Sequence, residues 1–209
     1  MKIAAFSDTH GMPSLKKLYW PKADVVICAG DFSNYGNMED ACIFMEEYKT
    51  LPYKYRVFVA GNHDRFFERE PGLAASIAKD NKLIYLFDNF VKIEGYKIYG
   101  TPWQPPFRDW AFNVMEDKLV QKFSIIPEDV DVLVTHCPPR DIMDTAPNGY
   151  RCGSTSLRDR IKDIKPKLHV FGHMHGGSGM RKINGTIYAN CSILDDEYCY
   201  KHDPKLIEL

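Results

Sequence analysis

The chain has 209 residues, 44% of them hydrophobic, which suits one domain with a sizeable core. Its 27 Lys and Arg balance 28 Asp and Glu, and a net charge of −1 excludes the broad positive field with which proteins hold nucleic acid or an anionic membrane nonspecifically. Six cysteines, at 28, 42, 137, 152, 191 and 199, include no C-x-x-C pair and read as free thiols in a reducing compartment.

The N-terminus runs straight into Lys2-Ile3-Ala4-Ala5-Phe6, without the basic and apolar segments of a leader, and no later apolar run approaches membrane-spanning length. A soluble cytoplasmic protein is the expectation. Short apolar runs at 3–6 and 25–29 predict buried strands, and 38–48, with Ala41, Cys42, Met45 and Tyr48 at helical spacing, predicts a helix. A third strand is expected at 56–60 and a helix at 71–78, opened by Pro71. From Leu83 the strands crowd together, at 83–87, 91–94 and 96–99, the last two forming a hairpin at Gly95. Strands at 132–135 and 169–171 bracket a helix capped at Ser154, and Asn184-Gly185 turns a last hairpin between 181–183 and 186–189. The pattern predicts an α/β fold with two mixed sheets, and nothing in it marks a repeat or a linker, so residues 1–209 read as a single domain.

Polar clusters follow the strands. Asp8-Thr9-His10 follows the first, Gly30-Asp31 the second, Gly61-Asn62-His63-Asp64 the third; Thr135-His136 and Gly172-His173-Met174-His175 follow later ones. Loops beyond the carboxyl ends of α/β strands converge on one crevice, so these clusters meet. Carboxylates, imidazoles and one amide form an oxygen and nitrogen donor set suited to manganese, iron or zinc. Alone, each cluster is ordinary: Gly-Asp ends a strand by turn chemistry, and His136 is a satisfied core histidine. Five clusters in order after five strands point instead to one divided metal centre.

The order D-x-H, G-D, G-N-H-D, H, G-H-x-H resembles the calcineurin-like metallophosphoesterase superfamily. Tyr99-Gly100-Thr101-Pro102-Trp103-Gln104-Pro105, Trp110-Ala111-Phe112-Asn113, Thr135-His136-Cys137-Pro138-Pro139 and 168–176 resemble its metallophosphoesterase-domain (MPPED-type) branch. The resemblance implies a four-layer α-β-β-α sandwich and two divalent ions, manganese favoured over iron or zinc. One would take Asp8, His10 and His175; the other Asn62, His136 and His173; Asp31 would bridge them. It implies a phosphodiesterase on small or nucleotide-type substrates, cyclic nucleotides among them, with no stable nucleic-acid partner.

Two ions about 3.5–4 Å apart lower the pKa of a shared water and clamp phosphoryl oxygens during in-line displacement, so a bridging hydroxide is the expected nucleophile. By resemblance His63 faces the substrate as a charge stabiliser or acid, and Asp64 is the candidate to orient it; their plainer roles are an exposed loop histidine and a helix N-cap. Trp103, Phe107, Trp110 and Phe112 are either core and loop anchors or an aromatic wall for a nucleobase. Arg151 either reaches phosphate or sits in a turn, and Cys137 lies on the opposite strand face from His136, which disfavours thiol catalysis. The alternatives are a phosphomonoesterase or protein phosphatase with the same metals, and a non-catalytic scaffold; a DNA nuclease is disfavoured by the charge balance.

Overall fold

The computed structural model describes residues 1–209. Two mixed sheets make up its centre. In the first, β1 (Lys2–Phe6), β2 (Val25–Ala29), β3 (Tyr55–Val59) and β4 (Ile84–Tyr85) run parallel. In the second, β5 (Asn89–Ile93) lies antiparallel to β6 (Tyr96–Thr101), which runs parallel to β7 (Val132–Thr135) and β8 (Leu168–Phe171). A final hairpin, β9 (Gly179–Ile183) and β10 (Thr186–Asn190), adds β10 parallel to β8; β11 (Lys205–Glu208) then returns to the first sheet, antiparallel to β1. The helices are α1 (Met38–Tyr48), α2 (Arg65–Arg69), α3 (Pro71–Asp80), α4 (Glu116–Ser124) and α5 (Thr155–Ile164).

Successive strand side chains point to opposite faces, and the sequence divides its apolar residues accordingly. Ile3 and Ala5 of β1, Val57 and Val59 of β3, Val132 and Val134 of β7 and Val170 of β8 form the core between the sheets. Ala4, Phe6, Val26 and Phe58 face the other way, against Phe44, Met45 and Tyr48 of α1 and Phe67 of α2. On the far side Tyr99, Leu133 and Phe171 pack on Leu119 and Phe123 of α4 and Leu157 and Ile161 of α5. The layers are therefore helix, sheet, sheet, helix. A one-residue slip of any central strand would exchange its two apolar faces, which fixes the register.

Local chemistry sets the helix starts. Asn37 accepts from Asp40 N (2.8 Å) to cap α1, Ser154 accepts from Leu157 N (3.1 Å) to cap α5, and Pro71 occupies the first turn of α3. The run 83–87 forms only the two-residue β4, which joins the first sheet rather than the neighbouring hairpin. Two further elements, α4 and β11, are not predicted from the sequence. Only Leu119 and Phe123 of α4 are buried, and only Ile207 of β11, opposite Ile3, so each shows few apolar residues in the sequence.

Five strands, β1, β2, β3, β7 and β8, end at one rim. There the sheets are stitched together by Ser7 N donating to Cys191 O (2.9 Å) and Ile193 N to Ser7 O (3.2 Å). The cysteines are all unpaired, and no helix is long and apolar enough to cross a membrane.

Candidate metal centre

Backbone geometry at the rim is unusual. Asp8, His10, Asp31 and His173 all adopt positive φ, 56°, 46°, 54° and 68°, where an L-residue is strained by roughly 1–2 kcal/mol. Turning the chain back immediately after each strand aims these side chains inward, and such strain concentrates at functional sites. Two glycines permit the close approach. A Cβ on Gly30 would lie 2.6 Å from Gly61 N and 2.8 Å from His136 Nδ1, and one on Gly61 would lie 2.3 Å from Asp31 Oδ1.

The donors gather in two groups. Asp8, His10 and His175 offer donor atoms within 4.8 Å of one another, as do Asp31, His136 and His173. Asp31 joins the groups. Its Oδ1 accepts from His63 N (2.7 Å), which leaves Oδ2 facing His136 Nε2 (3.2 Å) on one side and His10 Nε2 (3.8 Å) on the other. Asn62 Oδ1 lies 3.0 Å from His136 Nε2, completing the second group. The structure thus brings together all seven residues singled out from the sequence.

Backbone carbonyls fix the imidazoles. A carbonyl only accepts, so His136 Nδ1 donates to Ala29 O (2.8 Å) and His175 Nδ1 to Asp195 O (2.9 Å), and in each ring Nε2 is the nitrogen turned to the centre, able to coordinate once its proton leaves. His10 and His175 bring their Nε2 atoms to 3.3 Å, and His10 Nδ1 is buried without a partner. Opposed imidazole nitrogens, two carboxylates and an amide oxygen, with no thiolate nearby, fit divalent cations of borderline character.

The charges interlock. Burial raises the Asp8 carboxyl, but the hydrogen bond and charge of His175, with the charge of His136, outweigh it and hold the group at about 2. Burial likewise opposes ionisation of Asp31, yet His136, His63 and His10 keep it well below the usual carboxylate range. Against desolvation, Asp31 raises His136 to about 9 and Asp8 raises His175 to about 9. Desolvation prevails at His10 and His173, both lowered to about 4.

His63 lies beside the first group, its ring within reach of His10 and Asp31. Its Nδ1 donates to Asn34 O (2.9 Å), and its face stacks on Trp110 at 3.9 Å and 24°, with the Arg65 guanidinium on Trp110 in turn at 4.6 Å. Asp64 does not orient it. Both Asp64 oxygens are occupied elsewhere: Oδ2 accepts from Asp31 N (2.9 Å) and Gly61 N (2.7 Å), Oδ1 from Ser33 N (3.0 Å) and Ser33 Oγ (2.6 Å). Nor does its side chain cap α2. Asp64 ties the loop after β2 to the loop after β3, while burial and the Asp31 charge push it up to about 7.

The aromatic segment divides. Phe112 and Trp103 belong to the core, Trp110 backs His63, and Phe107, 39% exposed, sets its ring against His173 at 5.4 Å and 86°. Arg151 is bound by Asp144 (2.8 Å), and Cys137 is buried in the outer core, where desolvation keeps its thiol protonated. A cavity of about 330 Å³ opens over His10, Asp31, Asn62, His63 and His173. Several of its residues lie outside the motifs, Tyr198 and Arg108 among them. Tyr198 packs on His10 (4.9 Å) and His175 (5.0 Å), and Arg108, the one Lys or Arg lining the cavity, forms no ion pair. The nearest signal for them is indirect, since Asp195, whose carbonyl holds His175, begins the turn that presents Tyr198.

The family model for calcineurin-like phosphoesterases matches residues 1–177. The chain is 35% identical, over 233 aligned residues, to human metallophosphoesterase domain-containing protein 1, with all of this chain and 71% of that protein covered. It is 32% identical over 231 residues to the Caenorhabditis elegans UPF0046 protein C25E10.12, covering all of this chain and 81% of that one. Among solved structures, phosphopantetheinyl hydrolase from Mycobacterium tuberculosis shares the fold with a TM-score of 0.68 at 15% identity, covering 94% of this chain and 90% of that one.

Proposed function

The chain belongs to the calcineurin-like phosphoesterase family, and from that premise we propose that residues 1–209 act as one domain hydrolysing small phosphodiesters of nucleotide type, cyclic nucleotides included. The observation that carries the reading is the pair of donor groups joined by Asp31. Asp8, His10 and His175 would hold one divalent ion and Asn62, His136 and His173 the other, manganese favoured, with Asp31 common to both. When bound, the ions supply a water of lowered pKa and positive charge opposite the phosphoryl oxygens.

The protein's own groups do the rest. Asn34 O fixes the Nδ1–H of His63, so Nε2 is the atom that handles a proton toward the cavity; as an imidazolium it protonates the departing oxygen. Trp110 keeps the ring from rotating away. Arg108, the one Lys or Arg of the cavity lining, would meet phosphoryl charge there. Six unpaired thiols support a reducing, cytoplasmic setting.

The test is metal-stripped protein reloaded with manganese, iron or zinc and assayed on aryl phosphate mono- and diesters and on 2′,3′- and 3′,5′-cyclic nucleotides. Diester turnover exceeding monoester turnover is expected. Faster monoester hydrolysis would assign the monoesterase activity instead, and no turnover with any metal would leave a scaffold.

A further inference from the structure

A second cavity, of about 340 Å³, adjoins the one over the donor groups, and Phe107, Cys152 and His173 line both. Its volume falls in the usual range of ligand pockets. Two arginines, Arg140 and Arg151, line it, and no lysine does. Their side chains are 40% and 44% exposed, so a solute can reach them. Each is also held in place. Arg151 Nη1 donates to Asp144 (2.8 Å), a fully buried carboxylate whose other oxygen takes Gly153 N (3.2 Å), and Arg140 Nη1 donates to Arg151 O (2.9 Å). A guanidinium carries several N–H donors, and each of these spends one in that way. The link from Arg140 Nε to Asp141 is loose, at 4.0 Å, and the other oxygen of Asp141 takes Arg158 Nη1 (2.9 Å).

Glu116, the one carboxylate of the lining, is engaged by α5: its Oε1 accepts from Ser154 Oγ (2.9 Å) and Ser156 N (2.6 Å). Thr155, the first residue of α5, brings the N-terminal end of that helix to the cavity, where the dipole favours an anion. An anchored arginine loses little further rotamer freedom on binding, and its planar fork matches the oxygens of a phosphate. We propose that Arg140 and Arg151 bind, in the second cavity, a phosphate carried on the organic arm of the substrate, apart from the phosphoryl group that reacts. The inference rests on the phosphodiesterase reading above and deepens it: among such diesters, those bearing a second phosphate are preferred. Phe107 and His173, shared by the two cavities, stand between the reacting phosphoryl group and the second one.

The experiment uses the full chain loaded with manganese and two diesters that differ in one group, thymidine 5′-(4-nitrophenyl phosphate) and the same compound phosphorylated on its 3′ oxygen. The ratio of their kcat/KM values should favour the 3′-phosphate in the wild type and fall about tenfold in Arg140→Met and in Arg151→Met, the worth of a charge-assisted hydrogen bond. Arg140→Met is the safer variant, since Arg151→Met takes the guanidinium from the buried Asp144 and lowers stability. Inorganic phosphate titrated into metal-free protein should shift the amide resonances of Gly153 and Thr155, and Arg140→Met should abolish that shift. Equal losses of turnover on both esters would place the arginines on the reacting phosphoryl group and overturn the proposal, as would a wild-type ratio at or below one or a ratio unmoved in both variants. Wild-type protein that turns over neither ester, yet shows phosphate-induced shifts that Arg140→Met removes, would refute the phosphodiesterase reading and leave the anion site standing. Neither turnover nor shifts would overturn both.

Discussion

Asp64→Asn separates two roles for a residue deep in the signature G-N-H-D. In the wild type its two oxygens take three backbone N–H groups and one hydroxyl, all buried. An asparagine must place NH2 at one of the two positions. At Oδ2 it would strand Asp31 N and Gly61 N together; at Oδ1 it strands only Ser33 N, because the Ser33 hydroxyl can rotate to accept. The second orientation prevails, and one buried unsatisfied N–H costs about 2 kcal/mol. Loss of charge weakens the two remaining bonds, while relief of repulsion from Asp31 opposes that loss. For a chain of this length about 2 kcal/mol lowers Tm by roughly 4–8 °C. Asp64→Ala strands all three N–H groups and should cost about three times as much. The assay is thermal unfolding in chelator, so that metal linkage does not enter. An unchanged Tm in both variants, with lost turnover, would return Asp64 to the reacting atoms.

His63→Ala should retain metal by elemental analysis while turnover falls about 10²–10⁴-fold, the usual worth of a general acid; unchanged turnover would remove His63 from the reaction. Trp110→Ala frees the ring stacked on it at 3.9 Å and should lower kcat about tenfold or more with metal content preserved, whereas Trp110→Phe restores most of the rate. Equal losses in the two variants would show that stacking is not what matters. Metal binding should expel protons, because His136 and His175 are raised to about 9 in the metal-free protein and an imidazolium cannot coordinate. At pH 7 up to about two protons should leave per protein, affinity should climb as pH rises toward 9, and calorimetry in buffers of different ionisation enthalpy counts the protons directly; zero release would contradict the assigned ligands.

Much of this architecture is legible in the chain because its signals are local. Gly30-Asp31 and Gly61-Asn62 sit where strands must end and turn, and Asn184-Gly185 makes its hairpin with both residues at positive φ. The donors stand out because turn chemistry alone seldom places imidazoles beside carboxylates after strand upon strand. What stays hidden is whatever depends on a partner distant in sequence. Asp64 reads equally well as a cap or a catalytic aid until Ser33 and Gly61 are seen to consume its oxygens. The carbonyls of Asn34 and Asp195, which set the tautomers of His63 and His175, are backbone atoms that any residue could supply. Tyr198 acquires its place over His10 only through the fold, and Arg140 meets Arg151 only once the loop between them has turned back.

The left-handed turns at Asp8, His10, Asp31 and His173 bear on how this rim should be mutated. Aspartate, asparagine and histidine tolerate that region better than most side chains, and they are also good donors to borderline cations. Folding and coordination therefore ask for the same residues. An alanine scan would confound the two, since each replacement deletes a donor and also installs a residue less suited to the turn. Glycine deletes the same donor while relaxing the backbone. The difference in stability between paired alanine and glycine variants, measured without metal, would give the conformational contribution of each turn by itself.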